Sequence, residues 1–272
     1  MNDPLICPIC RTPLTKKGNS YYCEKERPHC FDIARSGYVT LTAAGGHAGD
    51  DREMVRARTA FLEKDYYRPF ADAVCRLLEN ADIIIDAGCG EGYYTNLLAS
   101  AGDSQKRQVY GFDLSKSACD HAAKRAKVLG TSAFFGVSSL FSLPIADGTA
   151  DAVVSLFAPI AEKEFSRVLK PGGYLLIGAA GKRHLFELKE ALYEHPYENE
   201  ERRDLPEQFS LLSKETLTYS FLCPGEDLKH LFFMTPYAFK TSPEDTAKLD
   251  LLESLRVTAS FDLFLYQKKD ML

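Results

Sequence analysis

Residues 83–92 have the sequence Ile83-Ile84-Ile85-Asp86-Ala87-Gly88-Cys89-Gly90-Glu91-Gly92. A β-branched apolar run followed at once by three closely spaced glycines predicts a buried strand that turns sharply into a helix. Glycines at such a turn let a ligand approach the backbone where a side chain would block it. The N–H groups at the start of the following helix point at the same place. The segment therefore predicts a cofactor-binding loop.

The glycine spacing distinguishes between cofactors. The dinucleotide fingerprint Gly-x-Gly-x-x-Gly would place its third glycine at the position of Tyr93, whereas here it comes one residue earlier. The Asp-x-Gly-x-Gly-x-Gly spacing over residues 86–92 resembles motif I of class I methyltransferases that use S-adenosylmethionine (SAM). A second predicted strand ends in Asp113, where a carboxylate could bind both hydroxyls of a ribose. We therefore predict a SAM site.

Strands and helices alternate after residue 69, which predicts an α/β fold with a mostly parallel, Rossmann-like sheet and ligands bound beyond the carboxyl ends of its strands. The predicted strands are 83–85, 108–112, 133–136, 152–157, 174–177 and 257–266, and the predicted helices between them are 93–101, 116–127 and 162–169. Asp50 or Asp51 is the predicted N-cap of an earlier helix. Its three arginines, Arg52, Arg56 and Arg58, would form either a solvated face or an RNA-facing strip.

The composition of the 272-residue chain is that of an ordinary globular protein, with 26% charged residues and a formal net charge of -5. This charge does not indicate a large sequence-independent phosphate interaction. The N-terminus has no basic, then apolar, secretory pattern, and the apolar run near 152–161 is too short to cross a bilayer. We therefore expect a cytoplasmic protein that does not enter a membrane.

Four of the eight cysteines lie within the first thirty residues. Cys7-x-x-Cys10, with a second pair from a neighbouring turn, is typical of a tetrahedral zinc site in a zinc-ribbon-like module. Cys23 is the third predicted ligand, and either His29 or Cys30 is the fourth. Four protein ligands leave no open position, so the zinc would be structural. A disulfide is disfavoured by the cytoplasmic expectation.

The chain divides into three parts. We predict a zinc-binding module over 1–42, a linker and helix over 43–68, and the SAM-dependent catalytic domain over 69–272. Within the last part, residues 182–240 interrupt the alternation and are predicted to be an insertion that covers the substrate side.

Further segments carry a specific resemblance. They are Cys7-x-x-Cys10 with Cys23 and His29, Phe31-Asp32-x-Ala34-x-x-Gly37-Tyr38-Val39, Arg56-Ala57-Arg58-x-Ala60-Phe61-Leu62, Tyr67, Gly88–Thr95, Ala158-Pro159, Arg183-His184-Leu185-x-Glu187-Leu188-Lys189 and Met234-Thr235-Pro236. Nearly end to end, the chain resembles the bacterial 23S rRNA guanine-N1 methyltransferases called RlmA or RrmA. Motif I alone indicates any class I methyltransferase, whereas the cysteine module and the last two segments are much more specific.

The resemblance implies a homodimer that methylates N1 of one guanosine in a hairpin loop of 23S rRNA, an activity that contributes to macrolide resistance in one subgroup. It implies that the zinc-binding module over 1–42 is an RNA-recognition module. It also implies three Cys and one His as zinc ligands, which here are Cys7, Cys10, Cys23 and His29. Five residues separate Cys23 from His29, whereas three are usual in the family. The implied cofactor contacts are Tyr67, Gly90, Glu91, Phe112, Asp113 and His184.

Guanine N1 carries a proton, so a general base should assist the transfer. The candidates are Asp50, Asp51, Glu162 and His184, and the sequence does not choose among them. The target base must be unpaired or flipped out, because N1 lies on the Watson–Crick edge. Two alternatives remain: a small-molecule SAM methyltransferase and a non-catalytic zinc-ribbon RNA binder.

Overall fold

The computed structural model describes residues 3–42, 50–101, 107–200 and 207–269. The strands within these ranges are β1 (Leu14–Lys17), β2 (Ser20–Cys23), β3 (Cys30–Asp32), β4 (Val39–Thr40), β5 (Ile83–Ala87), β6 (Gln108–Asp113), β7 (Phe134–Val137), β8 (Ala150–Leu156), β9 (Leu169–Ala180), β10 (Phe209–Pro224) and β11 (Ser254–Lys268). The α-helices are α1 (Arg52–Leu62), α2 (Arg68–Leu77), α3 (Tyr93–Ser100), α4 (Lys116–Leu129), α5 (Glu162–Val168), α6 (Phe186–Leu192), α7 (Gly225–Phe233) and α8 (Pro243–Ala247).

In the part of the chain that the structure describes, eight strands form a central sheet in the order β10-β11-β9-β8-β5-β6-β7-β4. The six strands from β9 to β4 run parallel to one another, whereas β11 pairs antiparallel with both β9 and β10. The predicted α/β fold with a mostly parallel sheet is therefore confirmed. Because β5, β6 and β8 are adjacent, the residues that follow them meet at one edge of the sheet.

Local sequence accounts for several helix ends. The Asp51 side chain accepts hydrogen bonds from two backbone N–H groups of α1, and that of Ser115 accepts one from α4. Asp51, and not Asp50, is therefore the N-cap of α1. Gly130 ends α4 in the left-handed conformation, which glycine adopts without a steric penalty. The predicted strands and helices from 83 to 169 differ from the observed ones by only a few residues at their ends.

Apolar residues on both faces of the central sheet form the core. On one face Phe61, Phe70 and Phe261 are fully buried together with residues from α2, α6 and α7. On the other face Phe112, Phe165 and Tyr266 pack with residues from β5 and β8. A sheet covered on both faces explains the continuous apolar runs of β5 and β8. It also holds the carboxyl ends of these strands rigidly.

The N-terminal residues form a small three-stranded antiparallel sheet, β1-β2-β3. This unit is attached to the larger domain: Ile6 N–H donates to Pro144 O over 2.9 Å, and Arg11 Nη1 donates to Leu143 O over 3.2 Å. The next strand, β4, pairs with β7 and so extends the central sheet. The predicted module 1–42 therefore contributes its last strand to the catalytic domain. Residues 43–49, at the start of the predicted linker and helix over 43–68, lie outside the described residues.

The interpretation of 182–240 as an insertion needs correction. Phe209–Pro224 is a long edge strand of the central sheet, and it pairs with β11 along almost its whole length. The sequence does contain the alternating pattern that predicts a strand: apolar and polar or exposed residues alternate through Leu217, Tyr219, Phe221 and Cys223. Other parts of the segment do cover the cleft, as described below. Among the described helices, none is both long enough and apolar enough to span a membrane.

Candidate active site

A cleft of ≈ 560 Å³ opens beyond the carboxyl ends of β5, β6, β8 and β9. Eight of the nine predicted cofactor residues line it, namely Tyr67, Asp86, Gly88, Gly90, Glu91, Phe112, Asp113 and His184. Gly92 is the exception. It starts α3 with φ +80°, and a Cβ there would lie 2.6 Å from the Cβ of Ala122, so Gly92 is needed where α3 packs against α4 rather than at the cleft.

Gly88 forms the tight turn after β5. Its backbone N–H donates to Phe112 O over 2.8 Å, which ties the loop to β6. Its φ is +90°, and a Cβ would lie 2.6 Å from the Cβ of Ala158. Both the conformation and the close approach exclude a side chain, and this leaves the backbone of the loop exposed to a ligand.

Asp113 lies where the second carboxylate was predicted. One carboxylate oxygen accepts the N–H of Ser115 over 2.7 Å, and the other accepts the N–H of Gly90 over 3.0 Å. Burial raises the pKa of Asp113, and these two backbone hydrogen bonds lower it. Each oxygen retains a further lone pair. The fixed carboxylate can therefore accept two adjacent hydroxyls.

Asp86 is almost completely buried at the end of β5. It accepts a hydrogen bond from Thr95 Oγ1 over 2.6 Å. Burial raises the pKa of Asp86 to about 7, against the effect of this hydrogen bond. Its charge state will therefore respond to any cation placed in the cleft.

Arg58 is the one arginine or lysine among the described residues of the cleft wall. Its Nη1 forms ion pairs with Asp50 and, at 3.7 Å, with the buried Glu91. Burial raises the pKa of Glu91, and Arg58 lowers it. Arg52 and Arg56 are exposed, so the three arginines of α1 do not act as one strip. Sequence spacing placed Arg58 on the helix but could not show that its face meets the glycine loop.

Tyr67 and His184 form a buried pair at the β9 side of the cleft. His184 Nδ1 accepts the backbone N–H of Ser260 over 3.2 Å, and Nε2 lies 3.3 Å from Tyr67 Oη. Burial lowers the pKa of His184 to about 3, so the ring is neutral. Since Nδ1 is an acceptor, the proton resides on Nε2 and is donated to Tyr67. The Tyr67 hydroxyl keeps its own proton for another acceptor.

The four candidate bases do not come together. Asp51 caps α1, and Glu162 accepts the N–H of Gln208 over 2.6 Å, outside the cleft wall. Asp50 lines the cleft, but its carbonyl accepts Ser115 Oγ over 2.7 Å, which holds it at the Asp113 end. His184 uses both nitrogens in hydrogen bonds, so it has no free lone pair for a proton.

The wall opposite Asp113 comes from segments that motif analysis did not assign as site residues. Met234, Thr235, Pro236 and Tyr237 line it, together with Asn199. The fully buried Lys189 donates to Asn199 Oδ1 over 2.7 Å and so connects α6 to this wall. Met234-Thr235-Pro236 and Lys189 were noted only as parts of a resemblance, because the residues that they meet are distant in the sequence: Lys189 lies over the ring of Tyr237, and Met234 lines the same cleft as Tyr67.

The cysteine module gathers one cluster of metal-ligating atoms. Cys7 Sγ, Cys10 Sγ, Cys23 Sγ and one ring nitrogen of His29 all lie within 4.8 Å of one another. His29 Nδ1 is 3.4 Å from Cys7 Sγ and 3.5 Å from Cys23 Sγ. These separations fit the edges of a tetrahedron with zinc bonds of about 2.0–2.3 Å.

Cys30 does not join this cluster. Its side chain is exposed and lies 3.7 Å from Asp32 Oδ1. Successive residues of a strand point to opposite sides, and β3 starts at Cys30. The structure thus brings His29, rather than the alternative Cys30, to the three cysteines. Five intervening residues do not prevent His29 from reaching them.

The cleft fits SAM in size and chemistry. Its volume lies within the usual range for cofactor sites. The Asp113 carboxylate suits a ribose, and the Asp86 carboxylate on the adjacent strand suits a sulfonium cation. Leu114, Leu140 and Phe141 supply an apolar wall beyond β6 and β7. The glycine turn lets the ligand lie against the backbone. Fold and site together define a class I SAM-dependent methyltransferase.

Comparisons with known proteins also indicate a methyltransferase. A methyltransferase-domain model matches residues 84–173, and a model described as "RlmA, N-terminal", a zinc ribbon, matches residues 5–44. The YcgJ protein from Bacillus subtilis has a similar fold, with a TM-score of 0.50 and 14% identity over 74% of this chain and 98% of that one.

Two relatives are similar over most of their length. A putative 23S rRNA (guanine-N(1)-)-methyltransferase from Micromonospora griseorubida is 32% identical over 97% of both chains. The 23S rRNA (guanine(748)-N(1))-methyltransferase from Streptomyces fradiae is 31% identical over 90% of this chain and 89% of its own. This chain belongs to the RlmA-type 23S rRNA (guanine-N1)-methyltransferase family.

Proposed function

We propose that this protein transfers a methyl group from SAM to N1 of a guanosine in an unpaired loop of 23S rRNA. The observation that carries this proposal is the combination of two features in one chain: a Cys3His zinc ribbon of RlmA type, and a class I cleft fitted to SAM. Relatives that share 31–32% identity over nearly the whole chain bear this activity in their names.

In this proposal, residues at the two ends of the cleft bind different parts of the cofactor. We assign the ribose hydroxyls to Asp113 and the close backbone contact to Gly88 and Gly90. Tyr67, with its oriented hydroxyl proton, would bind the amino-acid end at the β9 side. Bound SAM supplies an already activated methyl group, so the main contribution of the protein is to hold donor and acceptor in line.

The acceptor nitrogen lies on the pairing edge of guanine, which requires the nucleotide to leave the helix stack. The new bond to N1 forms as the bond between the methyl carbon and sulfur breaks, which leaves S-adenosylhomocysteine, and the N1 proton passes to solvent water. His184 does not remove the N1 proton in this proposal, because both of its nitrogens are engaged. Its role is to keep the Tyr67 hydroxyl oriented.

The zinc ribbon would be a structural element that recognises RNA. Cys7, Cys10, Cys23 and His29 would complete the coordination of the metal and leave no position for a substrate. Lys16 and Lys17 of β1 are both exposed, and their charges suit contact with phosphates.

Three further features follow from the family and remain predictions. We expect a homodimer, a cytoplasmic location alongside the ribosomal RNA, and a contribution to macrolide resistance. Sedimentation of the purified protein tests the first of these. Drug sensitivity of cells with and without the gene tests the last.

Incorporation of label from methyl-tritiated SAM into separated ribosomal RNAs tests the proposed function. RNA from cells lacking the gene should accept label in 23S and not in 16S rRNA. SAM binding with no label in naked rRNA or ribosomal particles would favour a small-molecule methyltransferase. Absence of SAM binding would favour a non-catalytic RNA binder.

A further inference from the structure

Phe157 has an unusual combination of backbone and side-chain features. It directly follows β8, and its φ is +56°. Among the described residues, only four that are not glycine have a positive φ, and two of these, Phe157 and Leu185, line the cleft. A bulky residue in the left-handed region is strained, and such strain clusters at functional sites.

The surrounding structure holds this conformation in place. Phe157 N–H donates to Gly178 O over 2.9 Å. The hydroxyl of Ser155 lies 3.5 Å from Ala158 O and 3.4 Å from Pro159 O, so it can bond to the turn that follows. Strand β8 itself lies between β5 and β9 in the sheet. The backbone therefore has fixed hydrogen bonds on both sides of the strained residue.

The ring of Phe157 packs against two buried rings and is otherwise exposed to the cleft. Its centroid lies 5.5 Å from that of Phe70 and 5.8 Å from that of Phe261, and both supporting rings are fully buried. Phe157 nevertheless remains 49% exposed. A large apolar side chain is thus held rigidly with much of its surface towards the cleft, although burial would be more favourable.

The sheet order places this ring away from the ribose end of the cleft. Asp113 follows β6, the glycine loop follows β5, and Phe157 follows β8, on the far side of the loop from Asp113. A donor whose ribose lies on Asp113 and whose centre lies over Gly88 extends towards Phe157. The acceptor base must meet the donor at this side.

We propose that Phe157 is the stacking platform for the flipped-out guanine. An unstacked base needs an aromatic surface to replace its neighbours in the RNA, and a half-exposed ring beside the transfer point provides one. This inference rests on the proposed rRNA activity. It assigns to Phe157 a substrate-binding role, separate from the binding of SAM.

Three variants test this role. Phe157→Tyr retains the ring, Phe157→Leu retains apolar volume without a ring, and Phe239→Leu alters an exposed phenylalanine that does not line the cleft. The wild-type protein first identifies the methylated guanosine. For each variant, the dissociation constant of SAM is measured without RNA, and kcat/KM is measured with rRNA at saturating SAM.

Phe157→Leu should lower kcat/KM for rRNA by about 10-fold or more, the range expected for loss of one base–aromatic stack. Phe157→Tyr and Phe239→Leu should stay within about 2-fold of wild type, a difference that is small beside the loss of a stack. All variants should bind SAM as wild type does. A merely structural role for Phe157 would weaken SAM binding as well, and that result would overturn the proposal, as would full activity of Phe157→Leu.

A fluorescent base provides a second readout that fold damage does not produce. An RNA hairpin is prepared with 2-aminopurine at the target position. The fluorescence of this base should be quenched in the wild-type complex, since a stacked 2-aminopurine fluoresces weakly. In the Phe157→Leu complex its fluorescence should rise. Equal fluorescence in both complexes would contradict stacking on Phe157. If the wild-type protein binds SAM but labels no rRNA, that result overturns the proposed function itself, and with it the role of Phe157.

Discussion

The hydroxyl oxygen of Tyr67 lies 3.3 Å from Nε2 of His184, while the other ring nitrogen of His184 accepts the backbone N–H of Ser260. These two contacts fix one neutral tautomer of the imidazole and one direction for the tyrosine proton. The pair therefore acts as an oriented hydrogen-bond donor. It does not offer a lone pair that could accept a proton from the substrate.

Substitution of His184 tests this assignment. In His184→Asn the amide oxygen can still accept the Ser260 N–H, whereas the bond to Tyr67 is lost. We expect kcat to fall less than about 10-fold and the acid limb of the pH–rate profile to persist, because general-base catalysis typically contributes about 10²–10⁴-fold. A loss within that larger range, together with disappearance of the acid limb, would identify His184 as the base.

Tyr67→Phe removes the oriented donor and leaves the aromatic packing. We expect the dissociation constant of SAM to rise about 10-fold, since a hydrogen bond to a charged group contributes roughly 1.5–3 kcal/mol. Decarboxylated SAM is the matched probe, and its affinity should be the same for both proteins. Equal weakening of both ligands would show that the hydroxyl does not bind the carboxylate of the amino-acid end.

Asp86 predicts a pH dependence of SAM binding. Burial raises the pKa of Asp86 to about 7, so the carboxyl is largely protonated below that pH in the absence of ligand. A cationic ligand favours the ionised form, so binding at pH 6 must release a proton and is weakened. The ratio of wild-type to Asp86→Asn affinity should therefore rise between pH 6 and pH 8, as measured by calorimetry. A constant ratio would contradict this account.

The zinc site is tested by a matched pair of cysteine variants. Cys23→Ser removes a residue of the ligand cluster, whereas Cys30→Ser alters a neighbouring exposed thiol. Metal analysis after gel filtration should find about one zinc per chain in Cys30→Ser, as in wild type, and much less in Cys23→Ser. The reverse pattern would show that Cys30 is a ligand.

The glycine turn is tested at Gly88, with Gly130 as the control. Both have positive φ, but a Cβ at Gly88 would lie 2.6 Å from Ala158, whereas nothing lies within 4 Å of one at Gly130. Gly130→Ala should cost about 1 kcal/mol and lower Tm by a few degrees, with SAM affinity unchanged. Gly88→Ala should abolish detectable SAM binding. Similar SAM affinity in both variants would exclude the predicted role of the turn.

The sequence was sufficient to predict those parts of the site that come from residues close together in the chain or directly after predicted strands. Residues 86–92 and Asp113 lie directly after strands, and parallel strands bring their ends together, so the arrangement of the cleft followed from the chain order. The position of His29 rather than Cys30 did not follow, because adjacent residues differ only in the direction of their side chains. Only the register of β3 distinguishes them.

Sequence patterns could not predict side-chain contacts between elements that are distant in the chain. The Arg58 side chain extends from α1 to Gly90 and Glu91 of the glycine loop, and no periodicity encodes that orientation. The strain at Phe157 arises from the turn after β8 and its bond to Gly178. Strand β10 is different, since its alternating pattern was readable but lay in a region interpreted as an insertion.

Reverse transcription of 23S rRNA tests the central claim most directly. RNA from cells lacking the gene is incubated with the protein and SAM, and primer extension then maps blocked nucleotides. A methyl on N1 prevents base pairing, so we predict one new stop, next to a single guanosine in a hairpin loop, that depends on SAM and is absent with Gly88→Ala. Methyl incorporation into the RNA without any such stop would contradict N1 as the acceptor.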